Sequence, residues 1–156
     1  VILAIDPGTT ESGWCVFDGK RVIGSGVHPN HRLLGAVRDS TGVDTFAIEM
    51  FTSYGGRVGR EVFETLVWIG RFQQAWRSPN DVKLVYRKAV VAHLLPPPKK
   101  QYKFETTDAN IRQKLIDKLG PVGTKAAPGP LYGVRSHAWA AVAVAVTVFD
   151  TTPKTS

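Results

Sequence analysis

Val1-Ile2-Leu3-Ala4-Ile5-Asp6-Pro7-Gly8-Thr9-Thr10 is an unbroken apolar run that ends in a carboxylate, a Pro-Gly turn and two hydroxyls. A run of this length without polar alternation predicts a strand buried on both faces, with Asp6 at or near its C-terminal end. A second β-like run follows, Gly13-Trp14-Cys15-Val16-Phe17, then an Asp18-Gly19 turn and a third run, Arg21-Val22-Ile23. Short runs joined by such a turn predict an antiparallel meander. A carboxylate at the end of a buried strand sits where the sheet meets solvent, on a rigid backbone. That placement suits metal binding or phosphate chemistry, although Asp6 also has the plainer role of opening an Asp-Pro turn.

Outward from this start the pattern alternates. Strands are predicted near 1–6, 12–18 and 21–26, and a short helix over 29–40 carries Leu33, Leu34 and Val37. Asp44-Thr45-Phe46-Ala47-Ile48-Glu49 reads as a fourth strand, again closed by a carboxylate. A long helix over 58–77, a fifth strand over 81–86 and a short helix over 88–95 follow, the last stopped by Pro96-Pro97-Pro98. Lys99 to Thr107 forms a basic loop, 108–119 a helix ended by Gly120-Pro121, and 121–134 a loop rich in Gly, Pro and Ala. A last apolar helix spans 136–149. Residues 1–150 read as one domain and the polar tail 151–156 as disordered. Three strands, a helix, a strand, then helices around one more strand give an α/β chain of RNase H-like order: a five-stranded mixed sheet with helices on both faces.

At 156 residues the chain is long enough for one domain with a substantial core. Its first residues form a strand and lack a basic leader region, which predicts no secretory signal. Cys15 is the only cysteine, so no intrachain disulfide forms, and a reducing, cytoplasmic setting is the expectation. The longest apolar stretch, Ala138 to Phe149, has 12 residues and is interrupted by Thr147. A membrane span needs about 20, so this stretch predicts a buried helix and no membrane partner.

The net charge of +7 is unevenly spread. From Arg57 to Arg135 there are 15 Lys or Arg against 6 Asp or Glu, whereas the rest of the chain is slightly acidic. The cations group as Arg57 and Arg60, Arg87-Lys88, Lys99-Lys100 with Lys103, and Arg112 with Lys114 and Lys118, and Arg135 closes the interval. Tyr54, Tyr86, Tyr102 and Phe104 are interleaved with them. Charge spread over several loops and a helix, with aromatics for stacking, predicts a nucleic-acid partner.

Several stretches together resemble the RuvC family of Holliday-junction resolvases. They are Asp6-Pro7-Gly8-Thr9, Gly13 near the second strand, Ala47-Ile48-Glu49-Met50-Phe51 before a long helix, and the Ala-Val-Ala-Val-Ala run of the last helix. The resemblance covers about residues 1–149, and the length and the 121–134 loop suggest a phage-type or otherwise divergent member. It implies a metal-dependent endodeoxyribonuclease that resolves four-way or other branched DNA by phosphodiester hydrolysis. It also implies two Mg²⁺ or Mn²⁺ ions per active site, branched DNA as partner and a homodimer. Such hydrolysis needs an activated water and a stabilised leaving alkoxide, which two ions about 4 Å apart supply through converging oxygen ligands. In an RNase H-like sheet the first and fourth strands are neighbours, so the resemblance makes Asp6 the bridging metal ligand and Glu49 the second carboxylate. The family also sets an aromatic, two residues past that Glu, against unstacked bases at the crossover. Phe51 has this spacing, and Tyr54 follows before Gly55-Gly56 delays the start of the next helix.

The last helix departs from the family pattern, in which an Asp or His is followed three residues later by an Asp on the same helical face. The corresponding residues here are His137 and Ala140. His137 fits the first position, as a metal ligand or as the group that orients the attacking water. The second carboxylate is absent. Asp108 is the substitute the sequence offers, since it opens a helix within the basic interval. An Asp in a first turn beside an N-cap Thr107 also serves the helix alone. Two other functional classes compete. Loss of the carboxylate at Ala140 fits a catalytically inactive module that binds branched DNA. Asp6-Pro7-Gly8-Thr9-Thr10 also looks like the first phosphate loop of sugar kinases, actin and heat-shock ATPases, but those need a second, similar domain for which this chain has no room. Finally, Val62, Phe63, Leu66, Val67, Trp68, Ile69, Phe72 and Trp76 cover more of the 58–77 helix than one sheet-docking stripe requires. A second apolar face predicts a partner there, in keeping with the implied homodimer.

Overall fold

The computed structural model describes residues 1–52, 55–95 and 108–154. Strands β1 (Ile2–Asp6), β2 (Glu11–Phe17) and β3 (Val22–Pro29) make the antiparallel meander, and helix α1 (Asn30–Arg38) leads back to β4 (Thr45–Met50). Helix α2 (Arg60–Ala75), a 3₁₀ turn at Pro79–Asp81 and strand β5 (Lys83–Tyr86) follow. Helices α3 (Arg87–Leu94), α4 (Asp108–Leu119) and α5 (Ala138–Thr151) complete the chain. The sheet order is β3-β2-β1-β4-β5, with β4 parallel to β1 and β5 parallel to β4. β1 therefore lies at the centre, and Ile2 to Ile5 are all buried. This is a five-stranded mixed sheet of the RNase H-like class.

Strand alternation sorts the core into two layers. Ile2, Ala4, Cys15, Phe17 and Ala47 face α5, which α3 and α4 flank. Leu3, Ile5, Phe46 and Ile48 face α1 and α2 through Leu33, Val37, Ile69, Phe72 and Trp76. Small residues in the first layer bring the helix close. Ala4, Ala47 and Gly13 let the alanine- and valine-rich α5 settle on the sheet, and a Cβ on Gly13 would stand 2.4 Å from the His137 carbonyl. Alternation also fixes the two strand-end carboxylates. Asp6 follows Ile2 and Ala4, and Glu49 follows Ala47, so both project to the α5 side. The parallel register Ile5↔Ile48 makes them neighbours.

Several boundaries differ from those the sequence suggests. β3 runs on to Pro29 because Gly24 and Gly26 leave room for the Trp14 indole, which packs against both. β5 starts only at Lys83, since Pro79–Asp81 forms a 3₁₀ turn that a proline at its start favours. Helix α5 starts at Ala138 rather than Ser136, because Ser136 takes a left-handed conformation (φ 47°) that turns the chain into the helix. Thr151 belongs to α5 and not to the polar tail. Its hydroxyl donates to the Thr147 carbonyl at 2.7 Å, and the preceding Asp150 is held by His93 and Lys118. Among the described residues no helix is long and apolar enough to cross a membrane.

Candidate active site

The carboxyls of Asp6 and Glu49 adjoin at the C-terminal ends of β1 and β4, on the floor of an open cavity of about 620 Å³. Their side chains are largely shielded, with exposures of 19% and 15%. Burial is the main reason that the Asp6 carboxyl is raised and that Glu49 is pushed up to about 8. Their mutual hydrogen bond and like charge add to the Glu49 shift, while Arg87 opposes it. Below about pH 8, Glu49 thus holds a proton that it shares with Asp6.

The loop behind Asp6 is closed by a ring of hydrogen bonds. Gly8 N–H donates to Ser12 Oγ (3.1 Å), the Ser12 hydroxyl donates to Asn30 Oδ1 (2.6 Å), and Asn30 Nδ2 donates to the Gly8 carbonyl (2.9 Å). Ser12 and Asn30 are both buried, so the ring fixes the Pro7-Gly8 turn. Glycine is required at position 8, where a Cβ would sit 2.3 Å from the Glu11 carbonyl oxygen.

The walls come from three helices. His137, just before α5, puts Nδ1 3.6 Å from Asp6 Oδ2 and keeps most of its ring exposed. Arg87, the first residue of α3, forks between Glu49 (Nη1–Oε1 3.7 Å) and Asp108, which its Nη2 contacts directly. Asp108 opens α4 and lines the same cavity. Arg112, one turn further on, lies over the Trp139 ring with its guanidinium carbon 4.6 Å from the centroid. Phe51 stands at the rim and is 41% exposed.

Asp6, Glu49, His137 and Asp108 therefore line one cavity, together with Phe51, Arg87, Arg112 and Ala140. The other expected DNA contacts lie elsewhere. Arg57 is exposed between β4 and α2, Arg60 pairs with Glu64 at 2.6 Å, and Lys88 is exposed on α3. Arg135 lines a shallow neighbouring groove with Tyr132 and Val27, beside β3. Tyr54, Lys99, Lys100 and Lys103 fall outside the described residues. Ser12, Asn30 and Trp139 hold places at the site that no motif marks. A bulky indole within His137-Ala138-Trp139-Ala140-Ala141 is the signal that points to Trp139. Nothing local marks Asn30, whose position after Pro29 reads as an ordinary helix start.

Two adjoining carboxyls beside an imidazole suit a hard divalent cation, which would take the place of the shared proton. Among the described residues no group of three or more His, Cys, Asp or Glu side chains is arranged to hold an ion. The donor set fits one Mg²⁺-like ion bound through one or two carboxylates, with water and substrate oxygens filling its shell.

The sheet order, the central strand-end carboxyl pair and the apolar helix laid across the sheet define a RuvC-like fold. Among solved structures, Thermus thermophilus RuvC in complex with a Holliday junction substrate matches with a TM-score of 0.64 at 19% identity, over 95% of this chain and 92% of that one. The Thermus thermophilus RuvC structure matches with a TM-score of 0.60 at 21% identity, over 95% of this chain and 93% of that one. No family model and no curated protein matches the sequence. At these identities the likeness is one of fold.

Proposed function

We propose that this chain is a metal-dependent, structure-selective endodeoxyribonuclease that hydrolyses phosphodiester bonds in four-way or other branched DNA. The observation that carries the reading is the shielded Asp6–Glu49 pair, set at the ends of two central parallel strands and open to a cavity walled by arginines. Holding two carboxyls together out of water is costly, and such a perturbed pair in a cleft is suited to a bound cation.

Asp6 and Glu49 would hold the ion, with His137 beside them. When bound, a divalent ion supplies Lewis acidity to a phosphoryl oxygen and acidifies a water molecule. The remaining work falls to the chain. His137 turns Nδ1 towards Asp6, which leaves Nε2 to accept a proton from the attacking water. Arg87 and Arg112 offer planar forks to phosphate oxygens. Phe51 offers a ring face to a base unstacked at the branch point. Arg57, Arg60, Lys88, Lys99, Lys100, Lys103 and Arg135 extend the path for the DNA arms. Two symmetric cuts require two sites, and a homodimer through α2 would provide them.

The test is cleavage of a synthetic four-way junction in Mg²⁺ or Mn²⁺, alongside Asp6→Asn. We expect cut junction from the wild type and none from the variant. Junction binding by the variant should be retained or stronger, because a negative charge near the phosphate is lost. Full cleavage by Asp6→Asn would end this reading. Ala140 favours a second one, a branched-DNA-binding module without catalysis. Binding without cleavage by the wild type, with cleavage gained in Ala140→Asp, identifies that case.

A further inference from the structure

Helix α3 begins against its own dipole. Arg87 and Lys88 occupy its first turn, which holds no acidic residue, although a helix N-terminus disfavours cations. The compensation lies in the Arg87 fork, which reaches Glu49 with one arm and Asp108 with the other. The inner carboxyl is 15% exposed and the outer one 92%. The guanidinium itself is partly exposed and lines the cavity. Its outer arm is a surface ion pair, a kind that contributes little and exchanges readily for another anion. Its inner arm faces a carboxyl that a metal ion would need, and two cations crowded on one carboxyl repel each other. Arg112 differs: among the described residues it makes no ion pair and rests on Trp139.

We propose that Arg87 is an exchange residue that couples metal occupancy to DNA binding. In the metal-free site it pairs with Asp108 and with the singly protonated Asp6–Glu49 pair, and a cation at Asp6–Glu49 releases it to grip a backbone phosphate. This rests on the nuclease reading above and adds a specific order to it. The released fork matches two oxygens of one phosphate. The metal-free chain therefore presents one phosphate contact fewer than the loaded chain, and it grips DNA fully only once it is loaded.

The test reads binding, with Ca²⁺ as the metal and a synthetic four-way junction as the DNA. Arg87→Gln removes the resident cation, so calorimetry should show Ca²⁺ alone bound about tenfold more tightly. The same variant should bind the junction more weakly in Ca²⁺ than the wild type does. In the wild type, Ca²⁺ should steepen the slope of log K against log salt by about 0.9, the share of one phosphate contact. In Arg87→Gln the slope should be the same with and without Ca²⁺. A merely structural residue would weaken both kinds of binding together. Asp108→Asn frees the outer arm and should steepen the metal-free slope, and because Asp108 is exposed this variant decides the matter if Arg87→Gln does not fold. Unchanged Ca²⁺ affinity in Arg87→Gln, a Ca²⁺-dependent slope that survives it, or an unchanged metal-free slope in Asp108→Asn overturns the exchange. A wild type that binds neither Ca²⁺ nor the junction overturns the nuclease reading and the exchange with it.

Discussion

Among single residues, Glu49 carries the heaviest electrostatic penalty of the site. Burial first, then the hydrogen bond and charge of Asp6, push its carboxyl up to about 8. An unfolded chain holds a glutamate near ~4.3, so between these values the native state binds the extra proton. Stability of the metal-free protein therefore falls as pH rises through that window, and the loss is complete above about 8. Glu49→Gln keeps a donor towards Asp6 and removes the ionisation. We expect it to flatten the dependence of Tm on pH and to melt above the wild type at alkaline pH. Parallel curves for the two proteins would place the titration elsewhere. The ring behind Asp6 is the second residue-scale case. Asn30→Ala strips partners from the buried Ser12 hydroxyl and the Gly8 carbonyl, at about 1–3 kcal/mol for a buried group left unsatisfied. For a chain of this size that is a Tm drop of roughly 2–12 °C. Cleavage turnover should fall with junction affinity little changed, because Asp6 loses its fixed turn while the cations stay. Lost stability with normal turnover would make the ring structural only. The carboxyls are legible in the sequence because each ends an apolar strand, whereas the ring closes between Gly8 and Asn30, across 22 residues of chain, and no local pattern announces it.

Between elements, the placement of α5 decides the geometry, and both of its ends are anchored. At the site end, Gly13 admits the His137 backbone. At the far end, Asp150 Oδ2 accepts from His93 on α3 (2.7 Å) and Lys118 on α4 (3.0 Å), so one carboxylate joins three helices. Burial raises the Asp150 carboxyl, but hydrogen bonds from His93 and Lys118 outweigh it and the net direction is down. A lowered carboxyl contributes stability above its unfolded pKa and loses it as pH falls through the folded value. Asp150→Asn should therefore destabilise at neutral pH, by about 1 kcal/mol for a partly exposed charged hydrogen-bond pair. The difference from wild type should vanish in acid, which thermal melts across pH will check. A constant difference at all pH values would mean that packing, not charge, is what the substitution removes. The order of strands and helices was readable because hydrophobic period dictates it, and the uniform apolar run of α5 left no alternative to a buried helix. The element ends were not, because they depend on partners distant in sequence: Trp14 for β3, and Asp150 with His93 and Lys118 for the close of α5.

For the whole molecule, the sheet separates two surfaces: the carboxyl cavity lies on the α5 side, and α2 covers the other. α2 buries Thr65, Ile69 and Phe72 against the sheet, while Phe63 and Val67 point outward, 60% and 56% exposed. Gly70 continues that outer stripe, and a Cβ there would meet nothing within 4 Å. A glycine in an exposed helix interior forfeits about 1 kcal/mol relative to alanine. Beside two exposed apolar side chains, this is the face through which the proposed homodimer would pack. The phenylalanine and the valine, already partly covered and duplicated across a two-fold axis, would each add about 1–2 kcal/mol on full burial before the cost of association. Phe63→Glu would set like charges facing each other at such an axis. Sedimentation should then show a dimeric wild type and a monomeric variant with an unimpaired Tm, and junctions should be nicked singly rather than cut in pairs. Gly70→Ala separates this from an ordinary solvated face. It should stabilise the isolated helix by about 1 kcal/mol while weakening self-association, because two added methyls hold the helices apart. A wild type that stays monomeric at micromolar concentration, or a Gly70→Ala chain that gains stability with no change in association, would leave α2 facing solvent and require the paired cuts to come from two independent encounters.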